Sequence, residues 1–242
     1  MLVSSPFRVL FTTEVLVATL LGCGQRSAPT GSQQSGSAPS NPSGQSQAVG
    51  PPPTQAQQPG GGTPQVFGIV PEDSEASYDI QEKLAFLPLP SRAVGRTKAI
   101  EGQFTLTMGA APRVEDAQFS VDLRTLTSDQ NRRDQLIRTR WLESNTYPMA
   151  EFRATRVEPL PAGYVEGQEV PLRITGNMTI RTTTLELTFD TRASMQGNTI
   201  RGTATTFLLM RDFGFEPPNI ANAVLVEDGV NLTVNFTAQG QS

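Results

Sequence analysis

From Tyr78 onward, apolar and polar residues alternate along most of the chain. Phe104, Leu106 and Met108 alternate with Gln103, Thr105 and Thr107. Phe119, Val121 and Leu123 form a second such run, and Ala150, Phe152 and Ala154 a third. Leu172 and Ile174 lead into Gly176, Met178 and Ile180, while Leu185, Leu187 and Phe189 alternate with Glu186 and Thr188. The last pair spans Ile200 to Leu209 and then Val230, Leu232, Val234 and Phe236. A period of two marks a strand with one buried face. Threonine fills many outward positions, as suits half-exposed strands. Turn residues separate the runs at Met108-Gly109, Pro161-Ala162-Gly163, Gln196-Gly197-Asn198 and Asp228-Gly229.

One stretch keeps a different period. After Leu123, Ser128 or Asp129 is placed to cap a helix. Asp129 with Arg133, and Asp134 with Arg138, are one helical turn apart and predict ion pairs on the solvent side. Leu136, Ile137 and Trp141 fall together on the other side. Ser144-Asn145 and Pro148 end the helix. About eight strands with hairpin spacing, and one short helix inserted after the third or fourth, predict an all-β antiparallel barrel or sandwich. The alternation sends the apolar side chains to a common interior. An eight-stranded barrel either fills with its own side chains or holds one slim ligand.

The first 74 residues do not share this pattern. Arg8 and the mostly apolar run from Val9 to Gly22 read as a secretory signal over residues 1–22, interrupted by Glu14. The run is too short for a good transmembrane span. Leu20-Leu21-Gly22-Cys23 resembles a bacterial lipobox, which makes Cys23 the expected lipidation site. Acyl chains there would hold the protein on a membrane. Residues 23–74 are Gly, Ser, Pro, Gln and Ala, and Arg26 is the only charge between Gly24 and Val70. Such a segment has too little apolar surface to offset ordering, so a disordered tether is expected. Its mean reach is roughly 40 Å by a random-coil estimate. Val66 to Val70 is a short apolar exception, either a first strand or part of the tether. The globular domain is expected over residues 75–242.

Composition narrows the chemistry. Net charge is −4 and charged residues are 17% of the chain, so a nucleic-acid partner is not expected. The chain has no histidine, which removes the commonest general base and most zinc sites. Cys23 is the one cysteine, so no intrachain disulfide and no thiolate cluster can form. No catalytic residue and no metal site is expected. Ser120, Asp122 and Asp212 are only loose candidates for an enzyme. Asp212-Phe213-Gly214 matches a kinase metal motif as letters, without the accompanying loops.

The run from Asp122 to Phe152, DLRTLTSDQNRRDQLIRTRWLESNTYPMAEF, resembles the signature of the YceI-like family of bacterial lipid- and polyisoprenoid-binding proteins. The segments Gly176 to Thr184 and Met210 to Pro218 resemble the family's second and third signatures, in the right order. Many members carry a His beside a Ser in the first strand pair. This chain has none there, so a head-group contact that depends on it is not expected. The resemblance implies a lipocalin-like barrel that encloses a long apolar tail.

Read from the residues alone, Phe104, Leu106, Phe119, Val121, Phe152, Met178, Ile180, Phe189, Leu208 and Phe236 are inward strand residues, either core packing or cavity lining. The resemblance turns them toward lipid lining and places Phe213 and Phe215 near the cavity. Trp141 either staples the helix to the barrel mouth or lines the ligand entrance. Arg132, Arg133, Arg138 and Arg140 are either solvated helix charges or a rim that attracts anionic head groups, which Arg211-Asp212 would share. The expectation is a lipid-anchored envelope protein, periplasmic or on the cell surface, that stores, shields or carries a polyisoprenoid or similar amphiphile. The lipid is the only cofactor-like ligand expected, and pairing of two copies is left open. An enzyme acting on such a lipid and a structural domain with a filled core are the rival readings.

Overall fold

The computed structural model describes residues 61–221 and 223–241. The signal segment, Cys23 and most of the tether lie outside the described residues. The strands are β1 (Gly61–Ile69), β2 (Glu75–Leu84), β3 (Ser91–Thr97), β4 (Ile100–Gly109), β5 (Arg113–Asp122) and β6 (Met149–Val157). They continue with β7 (Val170–Ile180), β8 (Thr183–Gln196), β9 (Thr199–Leu209), a two-residue β10 (Asn219–Ile220) and β11 (Val224–Gly240). Eight of them close an antiparallel barrel in the order β1-β4-β5-β6-β7-β8-β9-β11, with β1 returning to β11. The ring itself has no unpaired edge, while β2 and β3 branch from β11 with β3 outermost.

The closing strand serves two partners on one side. Ala238 to Gly240 pair with β1, and Val224 to Asn235 pair with β2. β1 and β2 therefore act as one interrupted strand. The interruption is pinned by Ser74, whose Oγ donates to the Val70 carbonyl at 2.7 Å and accepts from the Thr237 amide at 3.0 Å. Where β1 has ended, β2 and β3 continue the wall. β3 is tied back through Arg96 and Thr127, which exchange two backbone hydrogen bonds.

Three expectations are corrected. The barrel begins before residue 75: β1 lies inside the segment assigned to the tether, with Phe67 only 1% exposed. One buried aromatic among glycines and prolines suffices when strands on both sides supply the hydrogen bonds. Asp228-Gly229 is not a hairpin turn but lies within β11, where the register against β2 skips between Val226 and Val230. The extra residues form a bulge that bends the strand. The helix follows the fifth strand.

That helix, α1 (Asn131–Leu136), is short and runs on as a wider π turn over Ile137–Trp141. Gln130, not Ser128 or Asp129, sits at its N-cap, and its side chain makes no capping hydrogen bond among the described residues. Asp134 instead reaches back, accepting from the Ser128 amide at 3.0 Å and the Ser128 hydroxyl at 2.6 Å. Asp134 is thus buried rather than paired with Arg138 on the solvent side. Arg138 donates to the carbonyls of Arg124 and Leu126 at 2.9 and 3.0 Å. Both residues serve to lash the helix to the segment after β5.

Candidate ligand cavity

Period-two alternation on β5, β7, β8, β9 and β11 turns one row of each strand inward. The inward rows do not fill the barrel. They surround a cavity of about 450 Å³. Phe119, Val121, Met178, Ile180, Phe189 and Leu208 line it from the ring. Ala76, Tyr78 and Ile80 of β2 line another side, and Leu136, Ile137 and Trp141 roof it. Phe86 and Arg132 also line it and are themselves exposed. A cavity of about 150 Å³ takes a six-carbon ring, or about 25 Å³ per carbon. The space therefore suits roughly 18 carbons.

The few polar groups of this wall are largely engaged. Arg133 Nη2 lies 3.0 Å from Glu82 Oε1, and the two side chains are only 11% and 7% exposed. Arg133 also pairs with Asp129. The expected pair with Asp129 is thus present, but Arg133 is turned inward because Glu82 on β2 needs a counter-charge. The Tyr78 hydroxyl is buried with no hydrogen-bond partner among the described residues, and burial pushes its pKa up to about 12. The residue lies across Gly95 on β3, where a Cβ would come within 2.2 Å of the ring.

A second chamber of about 110 Å³ lies among Phe104, Leu106, Ile174, Thr191 and Phe236. Leu160 and Tyr164 of the loop between β6 and β7 cover it. Tyr164 fastens that loop: its hydroxyl donates to the Met195 carbonyl at 3.0 Å and accepts from the Met195 amide at 2.9 Å. Phe119, Phe152 and Phe189 stand between the two spaces in mutual contact. Phe119 stacks on Phe152 at 5.2 Å, and the edge-to-face contacts to Phe189 are 5.7 and 5.0 Å. Such ring pairs stabilise by about 1 kcal/mol each beyond the area they bury.

The structure distributes the sequence candidates unevenly. Phe119, Val121, Trp141, Met178, Ile180, Phe189, Leu208 and Phe215 line the main cavity. Phe104, Leu106 and Phe236 line the second chamber. Phe152 and Phe213 line neither, at 3% and 2% exposure. Phe152 belongs to the ring layer, and Phe213 is held in the core by a tight turn that ends at Gly214. Sequence reasoning missed the β2 wall. Its signal was there in Ala76, Tyr78 and Ile80, but Glu82 breaks the apolar row.

The arginine cluster does not form a common rim. Arg133 and Arg138 are engaged as described, and Arg211 pairs with Glu216 at 2.8 Å and Asp228 at 3.5 Å. Arg132 alone of the cluster combines exposure with a place on the cavity wall. Ser120, Asp122 and Asp212 lie outside the lining. Hydrogen bonds from Arg124 hold the Asp122 carboxyl below its usual range, so it stays an anion.

Comparison with known proteins fits this architecture. No curated protein matches the chain by sequence. Among solved structures, Burkholderia cenocepacia BcnA is 19% identical, covers 71% of this chain and 99% of its own, and superposes with a TM-score of 0.54. A polyisoprenoid binding domain from Saccharophagus degradans, implicated in plant cell wall breakdown, is 12% identical with 72% and 98% coverage and a TM-score of 0.55. At these identities the likeness concerns the fold. The family model described as YceI-like domain matches residues 67–238, from Phe67 of β1 to Ala238 of β11. The chain belongs to the YceI-like family.

Proposed function

We propose that the protein binds one long-chain amphiphile of the polyisoprenoid class, tail inward, at the bacterial cell envelope. The observation that carries this reading is the 450 Å³ cavity, walled by mostly apolar side chains within a closed barrel. Transfer of about 18 carbons from water is worth roughly 14 kcal/mol gross, before ordering costs. No charged contact is needed for tight binding on that scale. The binding named for the Saccharophagus degradans domain supports the choice of ligand class. The role is to store, shield or ferry the lipid, with no covalent step. Lipidation at Cys23 would hold the barrel near the membrane that supplies the ligand.

The test is purification of the full chain under native conditions, lipid extraction and mass spectrometry. A single amphiphile near one per protein is expected. Recovery of none, together with failure to take up an added prenyl alcohol, would refute the reading. Separately, Cys23→Ser should move the protein from the membrane to the soluble fraction, and retention on the membrane would refute the anchor.

A further inference from the structure

The main cavity and the second chamber share an axis. On β5 the inward row passes from Phe119, which lines the cavity, to Ala117, which lines the chamber. On β8 it passes from Phe189 to Thr191, and on β11 from Val234 to Phe236. Each step is two residues, about 7 Å along a strand. Three strands around the barrel make the same transition, so only one layer of side chains separates the two spaces.

That layer differs in how firmly its rings are held. Phe152 is fixed over Gly176, and Phe189 is 2% exposed. Phe119 is only half-buried and faces the main cavity. It is the ring with space to turn into. Beyond it, the chamber of about 110 Å³ is close to the volume of one five-carbon isoprenoid unit, about 125 Å³ at 25 Å³ per carbon. The main cavity has room for three to four such units on the same scale.

We propose that the chamber is a subsite for the distal isoprenoid unit of the bound tail, and that Phe119 and Phe189 form the partition that sets how long a tail is accepted. This rests on the lipid-binding reading and adds a length rule to it. A tail of up to four units fills the main cavity. A fifth unit reaches the chamber only by turning Phe119 aside. A sixth meets the loop held by Tyr164.

The experiment compares prenyl alcohols of three to six units on the full chain, by competition against a radiolabelled four-unit alcohol. For the wild type, affinity should rise by about tenfold or more per unit up to four. The gain should shrink for the fifth unit and vanish for the sixth. Phe119→Ala should restore the full gain at the fifth unit, with Phe189→Leu as the milder alternative. Leu160→Trp, which fills the chamber from its loop, should abolish the fifth-unit gain in either background and leave shorter alcohols within about twofold. A fifth-unit gain that survives Leu160→Trp would overturn the subsite. The same length profile in the wild type and both ring variants would overturn the partition. Binding of no prenyl alcohol at any length would overturn the lipid reading itself, and the length rule with it.

Discussion

The edge of the Phe152 ring occupies the place where a side chain on Gly176 would begin: a Cβ there would sit 2.7 Å from the ring. Gly176 lies where the register between β6 and β7 skips a residue, and the added carbon would also meet the Arg153 carbonyl oxygen at 2.3 Å. The strand cannot shift without disturbing the ring layer. Gly176→Ala should therefore destabilise the barrel by about 1–3 kcal/mol through overpacking, read as a lower urea midpoint. Gly202 and Phe236 repeat the arrangement on β9 and β11, also at 2.7 Å.

The Glu82–Arg133 pair joins β2 to the helix that roofs the cavity. Removal of one partner leaves a buried charge alone. Arg133→Met should cost about 3–5 kcal/mol, whereas the double variant Glu82→Leu with Arg133→Met should recover most of that loss. Equilibrium unfolding of both variants checks the difference. A double variant as unstable as the single one would contradict the account.

Burial holds Tyr78 neutral in the fold, with a pKa near 12 against about 10 when unfolded. The raised value favours the protonated form of the folded state. Its contribution is therefore complete below about pH 10 and is lost as pH rises through 12. The loss is up to about 3 kcal/mol. Tyr78→Phe should flatten the alkaline limb of a stability–pH profile between those values. Because the hydroxyl has no partner among the described residues, the substitution should cost little at neutral pH.

Trp141 is the chain's one tryptophan, and it lines the cavity from the helix end. Entry of a hydrocarbon tail should change its emission. A prenyl alcohol titration followed by fluorescence should saturate at one equivalent. Trp141→Phe should lose the optical signal while keeping uptake of labelled alcohol within about tenfold, since a phenyl ring still covers most of the same wall.

The alternating runs made most of the barrel legible, because a two-residue period admits one arrangement with a shared interior. The features that escaped were set by partners distant in the sequence. β1 carries few apolar residues and is a strand because β4 and β11 flank it. Arg133 lies one turn from Asp129, so local spacing pointed it outward, but Glu82 is 51 residues earlier and draws it in. Phe119, Phe152 and Phe189 all read as inward residues. Whether an inward ring borders empty space or blocks it depends on a glycine across the sheet, which no single run discloses.

The double role of β11 bears on how the protein is made. The strand that seals the ring is the last of the eight to be synthesised, and it joins β9 to β1. Until it emerges, the nascent domain has two raw sheet borders and an uncovered greasy interior, the condition in which chains stick to one another. Completion of the barrel is thus deferred until nearly the whole domain has left the ribosome.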